Sequence, residues 1–181
     1  SAGANPGPAA YRRGGPLTVT DCNGLLGKLQ PDLLPPVFGP NANQPLDVDV
    51  VRAKFDVLAS EIGGEMSVEE MAEGFLRIAV ENMANAIKKI SVQRGYDVTK
   101  YTMNCFGGAG GQHACLVADA LGMESVFIHP FAGVLSAFGM GLADVRAMRE
   151  HQFGLGFDKI NDAEVVLERL IAAAEAEVAG Q

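Results

Sequence analysis

Four glycines within five residues, Gly107, Gly108, Gly110 and Gly111, constrain this chain more than any other feature. They separate two segments of different periodicity. Before them, Tyr101, Met103 and Cys105 alternate with Thr102, Asn104 and Phe106, the period of a strand. After them, residues 112–121 put Ala114, Val117, Ala118 and Leu121 on one helical stripe, and Gly122 stands where a C-cap glycine belongs. The run therefore predicts a strand, a sharp glycine turn and a helix. Such a turn lets the backbone approach a ligand closely, and the helix behind it offers unpaired N–H groups and the positive end of its dipole. A phosphate or nucleotide suits that arrangement. The run matches neither GxGxxG nor GxxxxGK[ST], and a purely structural tight turn is the competing reading.

The rest of the chain supplies layers around this unit. Residues 1–16, SAGANPGPAAYRRGGP, form a loop by turn chemistry, either a disordered leader or a loop belonging to an active site. Residues 17–20 are a candidate short strand, with Asp21 as N-cap of a helix over 22–29. The competing role for Asp21 is contact with a metal or with phosphate-bound water. Residues 31–45 are a proline- and asparagine-rich surface connection. A helix follows over 46–62, with Val50, Val51, Phe55, Leu58 and Ile62 inward.

Ser67 and Glu70 then spell a capping box ahead of the longest helix, 68–93. Its expected apolar stripe is Met71, Phe75, Ile78, Ala79, Met83, Ala86, Ile87 and Ile90, with Gly95 as its stop. Glu81, Asn82 and Asn85 read as a solvated face or as contacts to a base. Met66, Met71 and Met83 read as core filling. Beyond the glycine unit, 125–129 is a second strand and 131–144 an apolar helix. Residues 150–157 are a candidate strand, and 161–179 a helix with Asn161 and Glu164 resembling a capping box. This alternation indicates an α/β layer with at least one parallel pair. The expected division is a loop-rich leader, 1–45, and an α/β subdomain, 46–181, that carries the glycine loop 107–111.

Composition removes several classes. With 181 residues, 48% of them hydrophobic, the chain has enough apolar material for a compact core. A net charge of −8 argues against a basic nucleic-acid surface. No apolar run reaches the ~20 residues of a membrane helix, and the start has no signal-peptide pattern. Three cysteines, Cys22, Cys105 and Cys115, without a CxxC pair read as reduced thiols in the cytoplasm. Both ends read as cut from a longer protein.

His113 is the most chemically suggestive side chain, because the pattern places it in the first helical turn after the glycine loop. There it would orient an anion or move a proton, unless it only satisfies nearby backbone. His129, ending a strand ahead of Pro130, reads as structural or as pointing at a cleft, and His151 reads as surface. No Ser-His-Asp or Cys-His set assembles, and the three histidines lack zinc-site spacing.

The run MNCFGGAGGQHACLVADALGMESVFIHPFAGVLSAFGMGLAD closely resembles the hydantoinase A/5-oxoprolinase family. SAGANPGPAAYRRGGPLTVTDCN, LDVDVVRAKFDVLA and EEMAEGFLRIAVENMANAIKKISVQRGYDVT extend the likeness over about residues 1–150. The resemblance implies half of an actin/sugar-kinase-like (RNase H-like) ATPase fold, α/β with a sheet flanked by helices. It implies ATP-dependent opening of a cyclic amide, 5-oxoproline to glutamate or a hydantoin to its N-carbamoyl amino acid, by phosphorylation of the ring carbonyl. Acetone carboxylase subunits are similar too, so a carboxylase-type subunit is the first alternative and a non-catalytic nucleotide-binding or interface module the second. The resemblance carries nucleotide contacts onto Gly107, Gly108, Gly110, Gly111 and Gln112, with His113 and Asp21 as catalytic candidates. It also implies ATP and Mg2+ in the full-length parent, a hydantoinase B-like partner domain or subunit, and a possible homo-oligomer. The family's first phosphate loop and its acidic magnesium residues find no match here, so the expectation is a piece inactive by itself.

Overall fold

The computed structural model describes residues 2–152, 154, 156 and 161–180. These fall into two compact units, Ser1–Val134 and Leu135–Gln181. Within the first, the helices are α1 (Val19–Leu25), α2 (Val48–Ile62), α3 (Val68–Gln93) and α4 (Ala114–Leu121), and the strands β1 (Met103–Cys105) and β2 (Val126–Ile128). The strands pair in parallel, Met103 with Val126 and Cys105 with Ile128. α4 is the crossover between them, as a parallel pair requires. The chain is therefore a mixed α/β structure with a parallel strand pair.

α3 is the spine of this unit. Ser67 accepts from the Glu70 amide, and the Glu70 carboxylate accepts in return from the Ser67 amide and hydroxyl at 2.8 Å. The predicted box and helix limits are both as observed. The buried face differs from the expected stripe. Met71, Ala72, Leu76, Val80 and Ala84 are buried, whereas Phe75, Ile78, Met83 and Ile90 are exposed. The helix carries apolar residues on two faces, and the covered face is the one that has Ala72 and Ala84 between its larger residues. Ala72 and Ala84 have no exposed surface at all, so neighbouring helices approach closely there. The N-terminal half of α3 joins one core with Ala9, Ala10, Cys22, Leu25, Val51 and Phe55; the C-terminal half joins a second with Val117 and Leu121.

α2 begins two residues later than expected, because Asp47 caps it by accepting from the Val50 amide at 3.0 Å. Val51 and Phe55 are its buried residues, while Val50 and Ile62 face solvent. Residues 17–20 form no strand: Thr18 is an N-cap and α1 starts at Val19. Asp21 is thus the third residue of α1 and the acidic half of a second capping box. Met71 is core as expected, but Met66 is exposed.

In the second unit, α5 (Leu135–Leu142) and α6 (Asn161–Ala179) are the helices, and the Arg149 guanidinium pairs with the Glu177 carboxylate. Of the candidate strand over 150–157, the described residues carry none, and Phe153, Leu155 and Phe157 lie outside them. The proposed Asn161–Glu164 box also lies outside what is described. No helix among the described residues is long and apolar enough to cross a membrane.

Candidate functional site: the glycine loop and the helix that holds it

α1 is short, and its two buried polar side chains point to different jobs. Asp21 has no exposed surface. Its Oδ1 accepts from the Ala10 amide at 2.8 Å. Its Oδ2 accepts from the Ala9 amide at 3.2 Å, the Thr18 amide at 2.7 Å and the Thr18 hydroxyl at 2.8 Å. A buried carboxylate is tolerable only when its oxygens are taken up in this way. The leader is therefore not a free tail. Ala9 and Ala10 lie in the core, the Asp47 amide donates to the Ala10 carbonyl at 3.0 Å, and the Arg12 guanidinium lies 2.5 Å from the Asp47 carboxylate.

Two residues on, Asn23 is 1% exposed. Its Nδ2 donates to Gln112 Oε1 at 2.6 Å and lies 3.2 Å from His113 Nε2. α1 thus grips the leader with one side chain and the end of the glycine loop with the other. No sequence motif singles out Asn23. The available signal was an amide inside the apolar run Cys22-Asn23-Gly24-Leu25-Leu26.

The loop between β1 and α4 is exposed over Gly107 to Ala109. Gly107 has φ +92°, a conformation that favours glycine, and its amide donates to the Ala132 carbonyl at 2.8 Å. A Cβ on Gly110 would stand 2.8 Å from Cys105 Sγ, so that glycine is needed for packing. Gly108 and Gly111 have open space where a Cβ would go. The amides of Gly108 and Ala109 donate to no backbone group among the described residues. Those two amides and the open approach are what a phosphate-bearing ligand needs from a loop.

A single turn of 3-10 helix, Gly110–Gln112, precedes α4, so Gln112 lies before the helix and His113 is its N-cap rather than part of its first turn. The glycines resist the regular geometry that the stripe alone predicts. His113 is half-buried. Burial, with the positive charge of Lys28 second, holds its imidazole below the usual histidine pKa. It lines a cavity of about 300 Å³ together with Tyr11, Thr20, Asn23 and Gln112. It also lines a wider opening of about 1000 Å³ with Thr18, Asn82 and Met83. The structure thus brings Gln112 and His113 together on Asn23, and sets Asp21 apart on the leader. Asn82, exposed like Glu81 and Asn85, lines the opening beside His113. The His129 ring accepts from the Phe131 amide at 3.0 Å and so shapes the turn after β2; His151 is exposed.

Fold and site together define an α/β unit built to present a glycine loop, steadied by a buried polar helix. Residues 1–149 match the Hydantoinase/oxoprolinase family, and the chain belongs to that family. It is 44% identical over 169 residues to a 5-oxoprolinase of Dictyostelium discoideum, a match covering 89% of this chain and 13% of that protein. Among solved structures it resembles nucleotide-free acetone carboxylase, from work on ATP-dependent acetone carboxylation, with TM-score 0.76 and 25% identity over 100% of this chain and 26% of that one. It also resembles the ATP-dependent caprolactamase of Pseudomonas jessenii, with TM-score 0.64 and 32% identity over 95% of this chain and 25% of that one. The chain therefore spans a small part of each relative.

Proposed function

We propose that this chain forms one wall of the nucleotide site in a longer, cytoplasmic, ATP-dependent enzyme that opens a small cyclic amide, with 5-oxoproline as the first candidate substrate. The observation that carries the reading is family membership over a stretch that contains both the pinned leader and the glycine loop. The free amides of Gly108 and Ala109 support nucleotide contact at that loop, with Gly107, Gly110 and Gly111 shaping it and Gln112 closing it.

The chemistry explains why a nucleotide is required. An unstrained amide resists water because resonance holds its C–N bond. Transfer of the terminal phosphoryl group of ATP to the ring carbonyl oxygen removes that resonance, and water can add to the carbon. Loss of phosphate from the adduct would only regenerate the ring. Productive opening instead breaks the C–N bond with a proton delivered to nitrogen, leaving an acyl phosphate that a second water converts to carboxylate and phosphate. Loop amides suit the transferring phosphoryl group, whose charge they stabilise without reorganising. In this reading Asp21 acts by fixing the leader, and His113 contributes a neutral imidazole at the mouth of the cleft. Among the described residues no group of three or more His, Cys, Asp or Glu side chains converges as a metal site, so no step is assigned to magnesium on this chain. A partner of the hydantoinase B type and the remainder of the parent would supply the facing wall, and the chain alone would bind nucleotide weakly.

The likeness to acetone carboxylase along the whole chain favours one second reading, a carboxylase-type subunit. Coupled ATP hydrolysis by the full-length parent, offered 5-oxoproline, hydantoin, caprolactam or acetone with bicarbonate separately, decides between them. Turnover with one ring compound supports the amide reading. Turnover with acetone alone replaces it, and no stimulation by any of them defeats both.

A further inference from the structure

Among the described residues, two buried side-chain polar atoms lack a hydrogen-bond partner, Asn23 Oδ1 and His113 Nδ1, and they belong to residues joined to each other. Leaving such atoms unpaired forfeits the hydrogen bonds they would make with water, so each calls for an explanation. Both are sealed from solvent, so neither touches a molecule in the neighbouring cavity in this arrangement. Their meaning lies in what they fix. The Asn23 amide nitrogen has two hydrogens and two neighbours, Gln112 Oε1 at 2.6 Å and His113 Nε2 at 3.2 Å. A donor facing Nε2 requires that nitrogen to be unprotonated, which puts the one ring hydrogen of neutral His113 on Nδ1.

We propose that Asn23 is a positioning residue: it locks His113 as the neutral Nδ1–H tautomer and, through Gln112, sets the end of the glycine loop from α1. Protonating His113 would place a second donor against the Asn23 amide. That can be relieved only if Asn23 and Gln112 turn their amides over together, because Gln112 Oε1 would otherwise face Asn23 Oδ1. The lock is therefore a joint property of three side chains. Of the charged and titratable groups, Lys28 acts on the ring through its charge, and Tyr11 lines the small cavity with it. Asp21 is occupied with Ala9, Ala10 and Thr18. None of these supplies a carboxylate that would favour the imidazolium.

The tautomer part stands on this chain alone, and its link to the nucleotide rests on the function proposed above. Long-range 15N–1H correlation spectra of the 181-residue chain distinguish a pyridine-type from a pyrrole-type ring nitrogen. The expected result is a pyridine-type Nε2 and a pyrrole-type Nδ1 for His113 at neutral pH. The opposite pattern, the one free histidine prefers in water, overturns the proposal without any variant. In Asn23→Asp a carboxylate replaces the donor, and His113 is expected to become protonated on both nitrogens. A ring still neutral in a folded Asn23→Asp protein also overturns it. In the full-length parent the same substitution is expected to raise KM for ATP about tenfold. If KM for ATP is unchanged while the tautomer shifts, the loop link fails and the tautomer lock stands. If the parent never hydrolyses ATP, the functional reading fails, and the spectra still decide the lock.

Discussion

Asp21 offers the cleanest test of how the leader is held. Asp21→Ala removes a carboxylate that accepts four hydrogen bonds at 2.7–3.2 Å. The Ala9 amide keeps a second acceptor, the Pro16 carbonyl at 3.0 Å. The Ala10 and Thr18 amides have no such reserve. Hydrogen bonds to a charged acceptor contribute about 1.5–3 kcal/mol each, but bonds sharing one carboxylate are not additive, so a loss of about 4 kcal/mol is expected. Asp21→Asn should cost about half as much, ~2 kcal/mol, because its oxygen can take the Oδ2 place and meet three donors while its NH2 opposes only the Ala10 amide. With a urea slope of about 2 kcal/mol/M, the midpoints should fall by about 2 M and about 1 M. Denaturation followed by circular dichroism gives the midpoints, and native-state hydrogen exchange at the Ala10 and Thr18 amides locates the damage. Midpoints within ~0.5 M of the unmodified chain, with unchanged exchange at Ala10, would refute the claim that this carboxylate holds the leader.

Other expectations follow from the same geometry. Gly110→Ala should destabilise by about 1–3 kcal/mol, since its Cβ meets Cys105 Sγ, whereas Gly108→Ala and Gly111→Ala meet nothing and should fold normally; in the full-length parent Gly108→Ala should raise KM for ATP. Alkylation under native conditions should label Cys115 alone by mass spectrometry, because Cys115 is exposed, Cys105 is buried, and burial followed by the nearby Asp21 charge pushes the Cys22 thiol up to about 11. The Ser67 amide and then its hydroxyl hold the Glu70 carboxyl below its ordinary value of 4.5. The contribution of the cap is therefore present above that value and is lost as pH falls through the lowered one, so the stability gap between the unmodified chain and Glu70→Gln should close on acidification into that range. A gap that persists at pH 2 would contradict the assignment.

Local chemistry was legible where it decides structure locally. The Ser67–Glu70 box and the glycine at 95 mark the ends of α3 because capping bonds span three or four residues. Gly122 ends α4 in the left-handed region for the same kind of reason. The box Thr18–Asp21 obeys an identical rule. Asp is a good N-cap by itself, so the sequence suggests Asp21 for that place, although Thr18, three residues earlier, holds it and completes the pair. What failed was tertiary choice. Phe75 and Ile78 are the larger hydrophobes of α3, yet Ala72 and Ala84 face the other helices, since close helix approach rewards small side chains and no periodicity encodes that. The site shows the same division. The glycines announce the loop, but Asn23 meets Gln112 and His113 across 89 and 90 residues of chain.

That separation bears on how the site works. α1 is only seven residues long, too short to hold itself together, and its helicity comes from the capping box and from packing on α2 and α3. Its Asp21 side is fastened to the leader and its Asn23 side to the loop end. Any ligand that shifts the leader must therefore either break the Asp21 bonds or move α1 with them. Moving α1 draws Asn23 away from Gln112 and His113. Breaking the Asp21 bonds would strand a buried carboxylate, the costlier course, so the shift travels to the glycine loop. Leader and loop are then coupled through about half a turn of helix. The coupling has a measurable sign: Asp21→Asn, which loosens the leader's grip without emptying it, should weaken the dependence of ATP affinity on the second substrate in the full-length parent. Equal coupling in that variant and the unmodified enzyme would mean that leader and loop answer to ligands independently.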